Sequence, residues 1–136
     1  MDSILFLSIL KDTYEHFELY RPERAYMECT EFSFSVKHLA EKFKITEVSL
    51  VGAEVVSQHD FEDYEKDNIY DHAFLKIGNK FYDFTLSQFD PQKENPELAR
   101  LPDYFIKIDE NPNYPELSEY ESKYLKYISE KFKISL

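Results

Sequence analysis

Positive charge is scarce in this sequence: 16 lysines and arginines stand against 27 aspartates and glutamates, a formal net charge of −11. That deficit argues against unaided binding to nucleic-acid phosphates or to an anionic membrane, because both are polyanions. There is a single cysteine, Cys29. It cannot close an internal disulfide, so nothing here calls for an oxidising compartment. With only two glycines, most of the backbone is expected in helix, strand or ordered polar loop. No apolar run approaches the ~20 residues of a membrane span. The opening MDSILFLSILKD carries an acid at position 2 and no basic region ahead of its short apolar run, unlike a secretory signal. A cytoplasmic protein with no membrane attachment is expected.

What is abundant is apolar and aromatic mass. The chain of 136 residues is 43% hydrophobic and includes 11 Tyr and 12 Phe, enough to bury one core in one domain spanning residues 1–136. Ile4, Leu5, Leu7, Ile9, Leu10, Tyr14 and Phe17 recur at roughly helical spacing, predicting a helix over 3–19 capped by Asp2 or Ser3. Pro22 is expected to break it. Phe32, Val36, Leu39, Ala40 and Phe43 form a second helical stripe over about 29–44, which places Cys29 in its first turn. Residues 46–56 are rich in β-branched side chains and predict a strand, with a bulge or close approach at Gly52. The acidic stretch 57–70 is expected to be a surface loop. It lacks the alternating spacing and central glycine of a calcium loop. A short strand over 104–108 and a packing helix over 116–132 complete the pattern.

Between them lies DHAFLKIGNKFYDFTLSQFDP, residues 71–91. Gly78-Asn79 is a two-residue turn signal, so HAFLKI and KFYDFT are expected to pair as a tight hairpin. With that turn, Ile77 faces Lys80. Alternation then puts His72, Phe74, Lys76, Phe81, Asp83 and Thr85 on one side. His72 and Asp83 become diagonal neighbours, roughly 7–8 Å apart at the backbone and within side-chain reach. A carboxylate beside an imidazole fixes its tautomer and stabilises the imidazolium, as a general base requires. The same pair also suits a purely structural contact.

Cys29 supplies the missing chemistry. A thiol at a helix N-terminus feels the positive end of the dipole, and beside a protonated imidazole it becomes a reactive thiolate. Its neighbours Glu28, Thr30 and Glu31 are polar, and it lies out of step with the stripe that begins at Phe32. The other histidines carry less: His38 lies within a helix, and His16 and His59 sit among acids. No His or Cys pair has the close spacing of a zinc site, so neither a metal nor another cofactor is expected.

Taken together, Cys29 opening a helix, the strand with Val51-Gly52, and H-A-F-L-K-I-G-N-K-F-Y-D-F-T-L-S-Q-F resemble the papain-like and transglutaminase-like superfamily of thiol enzymes. The resemblance covers residues 29 to 90. The hairpin is its most specific part, similar to H-[A/S]-W, a glycine-containing turn, then D-x-T-x-x-Q-F. It implies an α+β fold in which N-terminal helices pack on a small antiparallel sheet and a C-terminal helix closes one side. It also implies Cys29 as nucleophile, His72 as base and Asp83 as orienting acid, with Thr85, Gln88 and Phe74 supporting them. Three positions depart from the pattern. Phe74 replaces the familiar Trp, Glu28 stands where a small residue is usual, and no Gln precedes Cys29 to serve an oxyanion hole. Glu28, if buried beside the thiol, would oppose its ionisation.

The expected activity is hydrolysis or acyl transfer at an amide of a protein or peptide, with peptidase, glutamine deamidase and acyltransferase sharing the same chemistry. The acidic composition favours a basic substrate. The rival reading is a non-enzymatic acidic binding or inhibitor protein on a degenerate thiol-enzyme fold, its charge mimicking nucleic acid.

Overall fold

A computed structural model describes residues 1–57, 68–92, 95–112 and 122–136. Three helices come first: α1 (Ser3–His16), α2 (Pro22–Ala25) and α3 (Cys29–Lys42). Strands β1 (Val48–Ser57), β2 (Asn68–Ile77), β3 (Lys80–Tyr82), β4 (Glu97–Leu98) and β5 (Phe105–Asp109) follow, with a 3₁₀ turn at Leu86–Gln88 between β3 and β4. Helix α4 (Lys123–Phe132) comes last. The strands form one antiparallel sheet in the order β4-β3-β2-β1-β5. The class is α+β, with helices, an antiparallel sheet and a C-terminal helix.

Helix α1 begins as expected, with the Asp2 carboxylate accepting the Leu5 N–H at 2.8 Å. Its buried face differs from the expected one. Phe6, Ile9, Leu10, Thr13 and Tyr14 are buried, whereas Ile4 and Leu5 are exposed. The inward stripe follows 6, 9/10 and 13/14, the 3.6-residue period, and the apolar residues at 4 and 5 fall off it. Thr13 joins the core because its hydroxyl is satisfied by the Ile9 carbonyl at 2.8 Å. Pro22 ends nothing. It opens α2 at a first-turn position, where a missing N–H costs no hydrogen bond.

The sheet buries both faces. On one, Val48, Leu75, Ile77, Tyr82 and Phe84 pack against α1, α3 and α4. On the other, Val51, Ala53, Val55 and Phe74 meet Leu86, Leu98 and Phe105. The hairpin turn is as read from the sequence: Ile77 pairs with Lys80, and Gly78 has φ +64°, the conformation a primed two-residue turn needs. The irregularity at Gly52 is also present, as a register shift against β5 between Gly52 and Glu54.

The second hairpin arm is shorter than expected. β3 ends at Tyr82, and Asp83 leaves the ladder, its N–H donating to the Pro96 carbonyl at 2.8 Å. The cause is the Asp83 side chain, whose Oδ1 accepts the Thr85 N–H two residues on at 3.1 Å. Such a side-chain turn competes with strand pairing and bends the chain toward 86–88. β2 also starts earlier than expected, at Asn68, which removes 68–70 from the expected loop. The rest of that loop from position 58, with His59, and the 116–121 part of the expected last helix lie outside the described residues. No helix among the described residues is long and apolar enough to cross a membrane.

Candidate active site

The early end of β3 shapes the site. β2 is paired with β1 along its whole length, but with β3 only from Leu75 to Ile77. The 68–74 half of β2 therefore has one edge without a partner strand among the described residues, and the N-terminal turn of α3 closes on it. There the buried Ser33 hydroxyl donates to the Ala73 carbonyl at 3.3 Å. Since α3 begins at Cys29, this contact carries the thiol to the histidine strand.

His72 is fully buried, and its Nε2 lies 2.6 Å from Asp83 Oδ2. The other carboxylate oxygen accepts the Thr85 N–H and, at 3.3 Å, the Thr85 hydroxyl. The acid is thus held by the D-x-T turn that ended the strand. Rings enclose the imidazole: Phe74 lies parallel at 5.9 Å, while Phe89 and Phe105 meet it edge-on at 5.0 and 5.5 Å. They exclude water from the pair, which strengthens it. Burial by itself would lower the affinity of His72 for a proton. The adjoining Asp83 carboxylate outweighs burial, with a contribution from Cys29, and pushes its pKa up to about 10.

His72 Nδ1 is buried and has no hydrogen-bond partner among the described residues. The thiol and the ring nevertheless act on each other. Burial raises the pKa of Cys29, but the His72 imidazole, the Ala73 backbone and the Thr30 hydroxyl together bring it below the ordinary thiol value. Thr30 Oγ1 lies 3.8 Å from Sγ. As the first residue of α3, Cys29 also presents a backbone N–H that has no acceptor within the helix.

Cys29, Thr30, Tyr26, Met27, Tyr70, Asp71, His72, Gln88 and Phe89 line a cleft of about 240 Å³. Gln88 bridges the two halves of the site. Its Nε2 donates to the Thr85 carbonyl at 3.2 Å, and its Oε1 accepts the Met27 N–H at 3.4 Å. Met27 holds a positive φ of 59° two residues before the thiol, a strained conformation for a residue with a side chain.

The structure thus brings Cys29, His72, Asp83, Thr85, Gln88 and Phe74 into one region. Glu28, beside the thiol, is held by α4. Its carboxylate is ion-paired with Lys123 and accepts the Tyr124 hydroxyl at 2.6 Å, so α4 supplies its counter-charge. The sequence reading missed Tyr26, Tyr70, Asp71, Pro96, Phe105, Lys123 and Tyr124. Only Phe89, inside the Q-F end of the motif, carried a local signal. His16 and His38 are exposed away from this cluster. No group of three His, Cys, Asp or Glu able to hold a metal occurs among the described residues. No protein-family model matches the chain, and neither the curated proteins nor the solved structures hold a significant match.

Proposed function

We propose that this chain is a thiol enzyme of the papain-like or transglutaminase-like kind that hydrolyses or transfers an acyl group at an amide of a protein or peptide. One observation carries the reading. A buried imidazole is fixed by Asp83 through Nε2 at 2.6 Å, has no partner for Nδ1 among the described residues, and lines the same cleft as the only cysteine.

In this reaction Cys29 and His72 rest as thiolate and imidazolium. Sγ attacks the amide carbonyl, and the oxyanion forms near the free N–H at the start of α3. The C–N bond breaks as His72 gives its proton to the leaving amine, and a thioester remains. Water or a second amine then attacks the thioester and loses a proton to His72, the C–S bond breaks, and the thiolate–imidazolium pair is restored. Asp83 holds the ring in the required tautomer throughout.

The test is the pH dependence of Cys29 alkylation by iodoacetamide. Wild type should already label as a thiolate at about pH 6. His72→Ala should return the midpoint to an ordinary thiol value of about 8.5. A midpoint of about 8.5 in both proteins would overturn the reading, and would favour the rival in which the fold serves only to bind.

A further inference from the structure

We infer that the cleft takes a substrate bearing a cation, a protonated amine or guanidinium, next to the carbonyl that Cys29 attacks. The inference deepens the proposed thiol chemistry and rests on it. The cleft is walled by three aromatic residues, Tyr26, Tyr70 and Phe89, with the Tyr70 and Phe89 rings 5.9 Å apart. Asp71, immediately before His72, also lines it and is exposed. No cation among the described residues pairs with Asp71. The carboxylates that do find partners, such as Glu54 with Lys107 at 3.1 Å, show what it lacks. Among the described residues no lysine or arginine lines the cleft.

Aromatic faces attract cations through the ring quadrupole, and a carboxylate at the rim adds a directed charge. An anionic substrate would meet Asp71 with only the His72 charge nearby, which Asp83 and Cys29 already engage, whereas a neutral one would leave the Asp71 charge unused. The buried His72 Nδ1, which has no hydrogen-bond partner among the described residues, marks the same cleft as the place where the reacting group sits.

Charged thiol reagents read this without a known substrate. A methanethiosulfonate carrying a trimethylammonioethyl, sulfonatoethyl or methyl group reacts with the thiolate to give a mixed disulfide and expel methanesulfinate. The charged groups differ only at the end that enters the cleft. Rates at Cys29 should favour the cationic reagent over the anionic one. Asp71→Asn should cut that preference about 25-fold, because it removes an attraction on one reagent and a repulsion on the other, each worth about fivefold for unit charges ~4 Å apart in water. Glu47→Gln neutralises an exposed carboxylate at the far end of the sheet, where the Glu47 carbonyl accepts the Gly78 N–H. It should leave the preference in place. Equal losses in the two variants would assign the preference to the overall field of the molecule and overturn the inference, as would no preference in wild type. The methyl reagent, run against pH in wild type and His72→Ala, keeps the failures apart. An activated thiol with no Asp71-dependent preference removes the cation site alone. An ordinary thiol in both proteins removes the enzyme reading and the cation site with it.

Discussion

At the scale of single residues, the site is a chain of donors and acceptors in which each side chain fixes the next. Thr85 holds one oxygen of Asp83, Asp83 holds Nε2 of His72, and the ring acts on Cys29. The direction of the His72 shift gives a testable sign. Its pKa is about 10 in the folded chain against an ordinary 6.5, so the folded state binds the extra proton. The stability that this contributes is complete below about 6.5 and is lost as pH rises through about 10. Asp83→Asn removes the charge that holds the proton. Urea unfolding should therefore show the variant about 1–3 kcal/mol less stable than wild type near pH 6, with the gap narrowing toward pH 10. A gap that widens with pH would contradict the assignment. For Cys29 the sign is reversed, since its lowered pKa favours the thiolate. The two directions together favour a thiolate–imidazolium pair below the His72 value of about 10, and the proposed activity should be bell-shaped in pH.

Among the elements, α4 is part of the site although no residue of it lines the cleft. Ser122 caps it by accepting the Tyr124 and Leu125 N–H groups, and also lies 2.5 Å from the buried Ser35 hydroxyl of α3. Lys123 and Tyr124 then secure Glu28. Lys123→Ala should leave a carboxylate without its counter-charge next to Cys29. The alkylation midpoint should move to higher pH by about half a unit, and adding Glu28→Gln should bring it back. If Lys123→Ala leaves the midpoint in place, Glu28 has no electrostatic hold on the thiol. The hairpin is governed by its turn instead. A Cβ at Gly78 would meet nothing within 4 Å, so Gly78→Ala should cost about 1–2 kcal/mol through its positive φ alone. Thermal unfolding measures that cost, and the alkylation profile should stay unchanged because Gly78 lies six residues beyond His72.

Over the whole molecule, a charge of −11 on 136 residues opposes compaction by self-repulsion. Raising salt from about 20 to about 200 mM shortens the Debye length from about 20 Å to below 10 Å. The thermal midpoint should then rise. A fall with salt would mean that surface ion pairs such as Lys80–Glu97 and Lys131–Asp12 outweigh repulsion.

Much of this architecture could be read from the residues in order. The stripe of α3, the Gly78-Asn79 turn, the Ile77–Lys80 pairing and the proximity of His72 to Asp83 all follow from short-range periodicity and turn chemistry. These act between residues close in the chain, where covalent geometry limits the choices. The end of β3 was local too, but it depended on which partner the Asp83 carboxylate took, and a pattern of apolar residues does not report that. What only the tertiary structure decided is the company kept by distant segments. Tyr124 reaches Glu28 across 96 positions, Pro96 takes the Asp83 N–H, and Phe105 seals the imidazole. Such contacts depend on which surfaces pack together, and alternation marks a face as inward without naming what covers it. The sequence by itself determined a His–Asp pair and a thiol at a helix start. The docking of α3 on the 68–74 edge of β2 decided that the thiol and the pair share one cleft.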